Sequence, residues 1–115
     1  MEEKLSIEEI AFQLIAHAGD ARSFAFQALK EAKKGAFDQA AESLKKCKES
    51  EIKAHKIQTE LLTQEANGIS YEINILFVHA QDHLMTSMLA QELIEEMIDM
   101  RKELDELKKE VNGGK

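Results

Sequence analysis

Four polar side chains that could carry chemistry lie within five residues of one another: His79, Gln81, Asp82 and His83. If this segment is helical, the two imidazoles lie one turn apart on one face, and Asp82 lies three residues after His79. The neighbouring residues are mostly apolar, and polar groups are costly to bury there without partners. A neutral imidazole can act as a nucleophile, a base or a metal ligand near neutral pH. The segment is therefore the first candidate for a functional site.

Two metal-based interpretations and a structural one must be weighed for this cluster. Two histidines at i,i+4 can share a zinc ion, but the metalloprotease pattern needs a glutamate where Ala80 stands, and no third ligand is evident. A di-iron carboxylate bundle needs paired Glu-x-x-His motifs, which the sequence lacks. A purely structural role, in which the polar groups fix the register of packed helices, stays open.

A fourth interpretation is phosphoryl transfer through His79. The imidazole nitrogen is a good nucleophile toward phosphorus, and this reaction depends on positioning and on donors for the phosphoryl oxygens. Gln81 and His83 are candidate donors or orienting groups, and they could act across a subunit boundary. The spacing alone supports this interpretation only weakly, so it stands beside the structural one.

The elements that must position these side chains are three predicted helices in one domain spanning residues 1–115. Apolar spacing and stop signals place the helices at about 6–34, 37–66 and 70–111. Ser6 and Glu9 form a capping box, Gly35 ends the first helix, and Asn67-Gly68 breaks the chain before the third. There is no proline, and the connections are short. The sequence therefore predicts an all-α, antiparallel three-helix bundle.

The third predicted helix is apolar on every side. Between residues 73 and 91 the only formal charge is Asp82. Two partner helices cannot cover such a helix completely, so we expect a homo-oligomer built on it. Asp82 lies on a heptad-spaced stripe with Val78, Met85 and Leu89, so it points the way the apolar residues point. An isolated carboxylate buried there should lose its charge or find a cation.

Composition excludes several classes of function. The chain has 115 residues, 43% of them hydrophobic, and a net charge of −7 with no basic patch, which argues against nucleic-acid binding. The single cysteine, Cys47, cannot form an internal disulfide, and the lysines beside it could lower its pKa, although we interpret it as a packing residue. No signal peptide or long apolar run is evident, so we expect a cytoplasmic protein without membrane insertion.

One stretch of the third helix has the character of a family signature. Residues 76–90 read LFVHAQDHLMTSMLA, and two shorter stretches accompany them, Gly19–Ser23 in the first helix and Ala54–Thr59 in the second. Together they resemble the lactose/cellobiose-type enzyme IIA of the bacterial phosphoenolpyruvate-dependent sugar phosphotransferase system. The length and the three-helix layout extend this resemblance over nearly the whole chain.

The resemblance implies a specific activity, a phosphotransferase reaction through a phosphohistidine. His79 would accept a phosphoryl group on Nε2 from the histidine-containing phosphocarrier protein, with Gln81 and His83 as the other site residues. The group would pass to a cysteine of a cognate IIB component and, through the membrane IIC component, to a disaccharide such as cellobiose, chitobiose or lactose, with a weak preference for the cellobiose/chitobiose type.

The resemblance also implies an assembly. The protein would be a homotrimer joined through the long third helix, and Asp82 of each subunit would meet one shared Mg²⁺ on the threefold axis. The competing prediction is a non-catalytic helical oligomeric scaffold in which the His/Asp cluster is structural or binds a metal.

Overall fold

The computed structural model of the protein describes residues 6–113, and within that range it contains three α-helices and no strand. Helix α1 spans Ile7–Lys33, α2 spans Phe37–Ala66 and α3 spans Ile75–Gly113. The predicted all-α class and the three-helix layout are confirmed. The outermost parts of the predicted domain, residues 1–5 and 114–115, lie outside the described range.

The chain turns where the sequence predicts. Ser6 caps α1, because its hydroxyl oxygen accepts a hydrogen bond from the Glu9 N–H at 3.2 Å, as the first half of a capping box requires. Gly35 has φ +80° just beyond the end of α1, and Gly68 has φ +92° just beyond α2. This left-handed conformation suits glycine, so each helix ends with a residue that can reverse the chain without strain.

Helix α3 begins five residues later than predicted. The sequence interpretation placed its start at Ser70, but Asn74 is the residue that caps it: the Asn74 side-chain oxygen accepts from the Phe77 N–H at 2.8 Å. The backbone carbonyl of Asn74 also accepts from the Val78 N–H at 3.1 Å. Serine and asparagine are both good N-cap residues. The sequence alone therefore could not tell whether Ser70 or Asn74 would accept hydrogen bonds from the free backbone N–H groups of the first turn. The helix then runs to Gly113, two residues beyond the predicted end.

Helix α1 is the centre of the bundle and packs along both α2 and α3, whereas α2 and α3 contact each other only sparingly. Small side chains line its buried face: Ala11, Ala18, Ala21, Ala25, Ala28 and Ala32. Alanines let the neighbouring helices approach closely, and the buried Ser87 hydroxyl of α3 donates to the Ala18 carbonyl at 2.9 Å. One cluster joins Leu14 to Leu61 and Leu84, and another joins Ala32 to Ala40 and Ile98. The three helices therefore run up, down and up.

One side of α3 is left uncovered by α1 and α2. Nine large apolar residues on this side, which we call the outer stripe, are each 43% to 64% exposed. They are Val78, Met85, Leu89, Leu93, Met97, Met100, Leu104, Leu107 and Val111. A monomer rarely exposes a continuous apolar surface of this extent, so the prediction that two helices cannot bury α3 is confirmed for the single chain.

A group of acids lies between α2 and α3, away from the predicted site. Lys48 pairs with Glu95 at 2.9 Å, while Glu51 holds one buried carboxylate oxygen without a hydrogen-bond partner. Burial, together with the nearby Glu95 and Glu92, raises the pKa of Glu51 to about 7. Burial, together with Glu51 and Glu95, raises the pKa of the Cys47 thiol to about 12, against a small opposing effect of Lys48. The flanking lysines therefore do not activate Cys47, and it acts as a buried packing residue.

We expect Glu51→Gln to stabilise the protein at pH 8. Between pH 4.5 and about 7 the folded chain keeps a proton on Glu51 that the unfolded chain has released, so stability falls as pH rises through this window. Replacing the carboxyl with a neutral amide should remove that decline and add about 1 kcal/mol at pH 8, the pKa shift being discounted because the side chain is only partly buried. Urea unfolding at pH 5 and pH 8 measures the effect.

The exposed Glu49 on the same helix provides a matched control for the change in charge. Glu49→Gln should leave the pH dependence of unfolding as it is in the wild type. An equal flattening in both variants would show that net charge, and not the buried position of Glu51, causes the decline.

Candidate functional site

His79 and His83 lie together on α3, as their spacing predicts. Their ring centroids are 4.5 Å apart and the rings meet edge to face at 86°. The His79 side chain is exposed, whereas His83 is half-buried and its Nδ1 is buried without a hydrogen-bond partner. An orphaned N–H is rarer in a protein interior than an orphaned acceptor, so we assign the proton of neutral His83 to Nε2. The pair thus offers one accessible imidazole beside a second that could donate a hydrogen bond through Nε2.

Two buried residues of α3 hold this pair in place. Ala80 and Leu84 are completely buried and each follows one of the two histidines directly. Both belong to the core cluster that includes Leu14 and Ala18 of α1. Because Ala80 and Leu84 fix the rotation of α3 about its own axis, His79 is directed to the surface while His83 stays against the bundle.

Asp82 lies within the outer stripe near its amino-terminal end, between Val78 and Met85, and is itself exposed. Its carboxylate has no ion-pair partner within the described part of the chain, and Thr86 contacts only its backbone carbonyl, at 2.8 Å. Across residues 6–113 no three His, Cys, Asp or Glu side chains are grouped so that they could hold a metal ion. One chain therefore supplies a single carboxylate, and the Mg²⁺ predicted for Asp82 would need carboxylates from several copies.

Gln81 is not brought to His79 within one chain. Residues two apart on an α-helix are about 200° apart around its axis, so the two side chains lie on opposite flanks of the outer stripe. Gln81 faces α2, where its side-chain oxygen accepts a hydrogen bond from Gln58 Nε2 at 2.5 Å. His83, by contrast, lies toward α1, next to Ser87. A role for Gln81 at the His79 ring thus requires a second copy of the chain.

Gln58 is the residue that the sequence interpretation missed. It lies in the Ala54–Thr59 stretch that carries part of the family resemblance, yet nothing in its spacing indicates a bond to α3. The neighbouring His55 is exposed, and its Nδ1 lies 3.5 Å from the Thr59 hydroxyl oxygen. His55 and Ile52 line a shallow groove on the surface of α2. The hydrogen bond between Gln58 and Gln81 is visible only once α2 and α3 are placed side by side.

We expect Asn74→Ala to loosen the first turn of α3, five residues before His79. The substitution removes the acceptor for the Phe77 N–H and should cost about 1 kcal/mol of stability, as the loss of an N-cap does. Amide hydrogen exchange at residues 76–78 should accelerate. Asn74→Asp keeps the acceptor and places a negative charge at the helix start, so it should retain the stability of the wild type. Equal loss in both variants would contradict the capping role.

Among the described residues no helix is both long enough and apolar enough to cross a membrane.

Comparison with known families gives a match over most of the chain. Residues 9–102 match the family described as "PTS system, Lactose/Cellobiose specific IIA subunit". The chain is 43% identical to the N,N'-diacetylchitobiose-specific EIIA component of Escherichia coli K12, over 85% of this chain and 84% of that protein. It is 41% identical to the lichenan-specific phosphotransferase enzyme IIA component of Bacillus subtilis, over 87% of this chain and 91% of that one.

Solved structures agree with the sequence matches. The crystal structure of the cellobiose-specific enzyme IIA from Bacillus anthracis is similar with a TM-score of 0.85 and 47% identity, over 90% of this chain and 94% of that chain. The IIA component in solution structures of the IIA(Chitobiose)–HPr complex is similar with a TM-score of 0.77 and 39% identity, over 89% and 99%. That relative was thus studied in complex with HPr.

Proposed function

Because the chain belongs to the lactose/cellobiose-specific IIA family of the phosphotransferase system, we propose that His79 is its phosphoryl carrier. The donor would be the histidine-containing phosphocarrier protein and the acceptor a cysteine of a cognate IIB component, during uptake of a disaccharide such as cellobiose, chitobiose or lactose. The observation that carries this proposal is the exposed His79 ring, which lies edge to face with a half-buried His83 ring. The similarity to a IIA component studied with HPr supports the choice of donor.

The proposed reaction needs little covalent chemistry from the protein. The lone pair of His79 Nε2 attacks phosphorus while the bond from phosphorus to the donor's histidine nitrogen breaks and that nitrogen regains its electron pair. In the second transfer the IIB thiolate attacks the same phosphorus and His79 leaves as a neutral imidazole. The chain contributes position and hydrogen bonds, with His83 Nε2–H as one donor to the phosphoryl oxygens.

The outer stripe supports a homotrimer as part of the same proposal. Three α3 helices packed in parallel along their outer stripes would cover the apolar surface that a single chain leaves open. In such an arrangement the α1 side of each stripe meets the α2 side of the next. His79 lies on the first side and Gln81 on the second, so each His79 would meet Gln81 of the neighbouring copy. The site would be completed only by assembly.

The same symmetry would bring three Asp82 carboxylates together on the axis. They are hard oxygen donors, which suit Mg²⁺, and each has no cationic partner among residues 6–113 of its own chain. We propose one Mg²⁺ per trimer, held by the three Asp82 side chains. When bound, this ion would neutralise charges that otherwise repel one another in a largely apolar seam. Phosphoryl transfer itself takes place at His79, on the edge of that seam.

We expect His79→Gln to abolish phosphorylation. Incubation with phosphoenolpyruvate, enzyme I and the phosphocarrier protein should add one acid-labile phosphoryl group to the wild-type chain, as measured by intact mass. The glutamine variant should gain none, because it lacks the nucleophilic nitrogen, while it keeps its helical content. His17→Gln, which alters a histidine of α1, should still be phosphorylated.

The same experiment distinguishes the phosphocarrier function from the competing scaffold function. A scaffold whose His/Asp cluster is only structural would show no gain in mass even in the wild type. Phosphorylation that persists in His79→Gln would place the acceptor on another residue.

We expect Asp82→Leu to keep or strengthen the assembly and to remove its dependence on Mg²⁺. Leucine replaces converging carboxylates with apolar packing within the outer stripe, a change that is often neutral or stabilising. Sedimentation with Mg²⁺ and with a chelator measures the effect, and calorimetry tests whether Mg²⁺ still binds. The exposed Asp99 provides a matched control, since Asp99→Leu should leave metal binding intact. A monomeric Asp82→Leu variant would be evidence against this geometry.

A further inference from the structure

The Gln58 side-chain amide nitrogen donates a hydrogen bond to the Gln81 side-chain oxygen, at 2.5 Å. An amide that accepts through its oxygen has its two N–H donors directed elsewhere. Both side chains are half-buried, so water competes for this bond less than it would on an exposed surface. In this arrangement the Gln81 oxygen is held at α2 and the Gln81 NH₂ group faces away from α2.

The bond also lies where the bundle has few other constraints. Helices α2 and α3 contact each other sparingly, and among residues 6–113 the other polar contacts between them are the ion pair of Lys48 and Glu95 and, farther along α3, the ammonium of Lys102 over the Phe37 ring. Residue 95 is fourteen residues farther along α3, or about 21 Å. Near the candidate site, the Gln58 amide is thus the polar group that ties this flank of α3 to α2.

We propose that Gln58 is a positioning residue for phosphoryl transfer, acting through Gln81. By holding the Gln81 oxygen, it keeps the Gln81 NH₂ group directed toward the phosphoryl oxygens on His79 of a neighbouring copy. Without it, the Gln81 amide could rotate and present its oxygen, which repels a phosphoryl group. This inference rests on the proposed phosphocarrier function and trimer, and it adds a residue on a different helix to the reaction.

Two substitutions of Gln58 distinguish the effect of its hydrogen bond from the effect of its side-chain packing. Gln58→Met keeps the length of the side chain but cannot hydrogen-bond as a donor, and Gln58→Glu offers only acceptors, which favours a rotated Gln81. Rates of transfer from the phosphocarrier protein, measured by rapid quench over a range of its concentrations, should show a lower kcat with an unchanged KM. We expect about a tenfold loss for methionine, the size of one hydrogen bond, and about a hundredfold loss for glutamate, where repulsion is added.

Three further measurements connect the effect to Gln81. If Gln58 acts through Gln81, the kcat of the double variant Gln58→Met/Gln81→Met should equal that of Gln81→Met alone. The losses of the two single variants would then not multiply. The side-chain NH₂ resonances of Gln81 should shift in Gln58→Met. Gln39→Glu adds the same charge to an exposed position of α2 and should transfer at the wild-type rate.

The outcomes distinguish this inference from the function on which it rests. A wild-type kcat in Gln58→Met, with His79→Gln still inactive, would overturn the role of Gln58 and leave the phosphocarrier function standing. Multiplicative losses in the double variant would show that Gln58 acts independently of Gln81, which also overturns it. If the wild type accepts no phosphoryl group at all, the proposed function fails first and this inference fails with it.

Discussion

An apolar helix face that one chain cannot bury governs the arrangement of this protein. Helix α1 presents a row of alanines to its neighbours and so draws α2 and α3 close, but it covers only part of α3. Nine large apolar side chains of the outer stripe stay half exposed. Fully burying a large apolar side chain is worth about 1.5–3 kcal/mol, and roughly half of that gain is unrealised for each residue of the outer stripe, so their exposure favours a further contact over this surface. The chemistry of the candidate site is arranged around this surface.

The polar residues of the candidate site lie at different positions relative to the outer stripe, so neighbours in sequence have different surroundings. Asp82 lies within the stripe, His79 and His83 lie on its α1 side, and Gln81 lies on its α2 side. Residues that adjoin in sequence are thus directed to three different environments by the 100° step of the helix. In the proposed trimer, this segment of five residues would supply an axial carboxylate, a nucleophile and donors for two separate copies of the site.

The extent to which sequence predicts this structure depends on the range of each interaction. The three helices, the Ser6 cap and the glycine turns follow from local spacing, and so does the His79–His83 pair, because all of these depend on residues within one or two turns. The predicted start of α3 was wrong by five residues because Ser70 and Asn74 are both plausible N-cap residues. The Gln58–Gln81 bond and the acid cluster around Glu51 could not be predicted, since they depend on the register of α2 against α3.

The carboxyl-terminal part of α3 extends past the rest of the bundle. Lys102 still lies over the Phe37 ring at 5.7 Å, but residues 106–113 are all exposed, and Gly113 lies about 51 Å along the helix from His79. A surface linker or fluorescent label attached at this end would therefore be remote from His79, the proposed phosphoryl carrier. Protein immobilised through this end should leave the His79 surface open to the two proposed partners, which makes single-molecule observation of the proposed relay feasible.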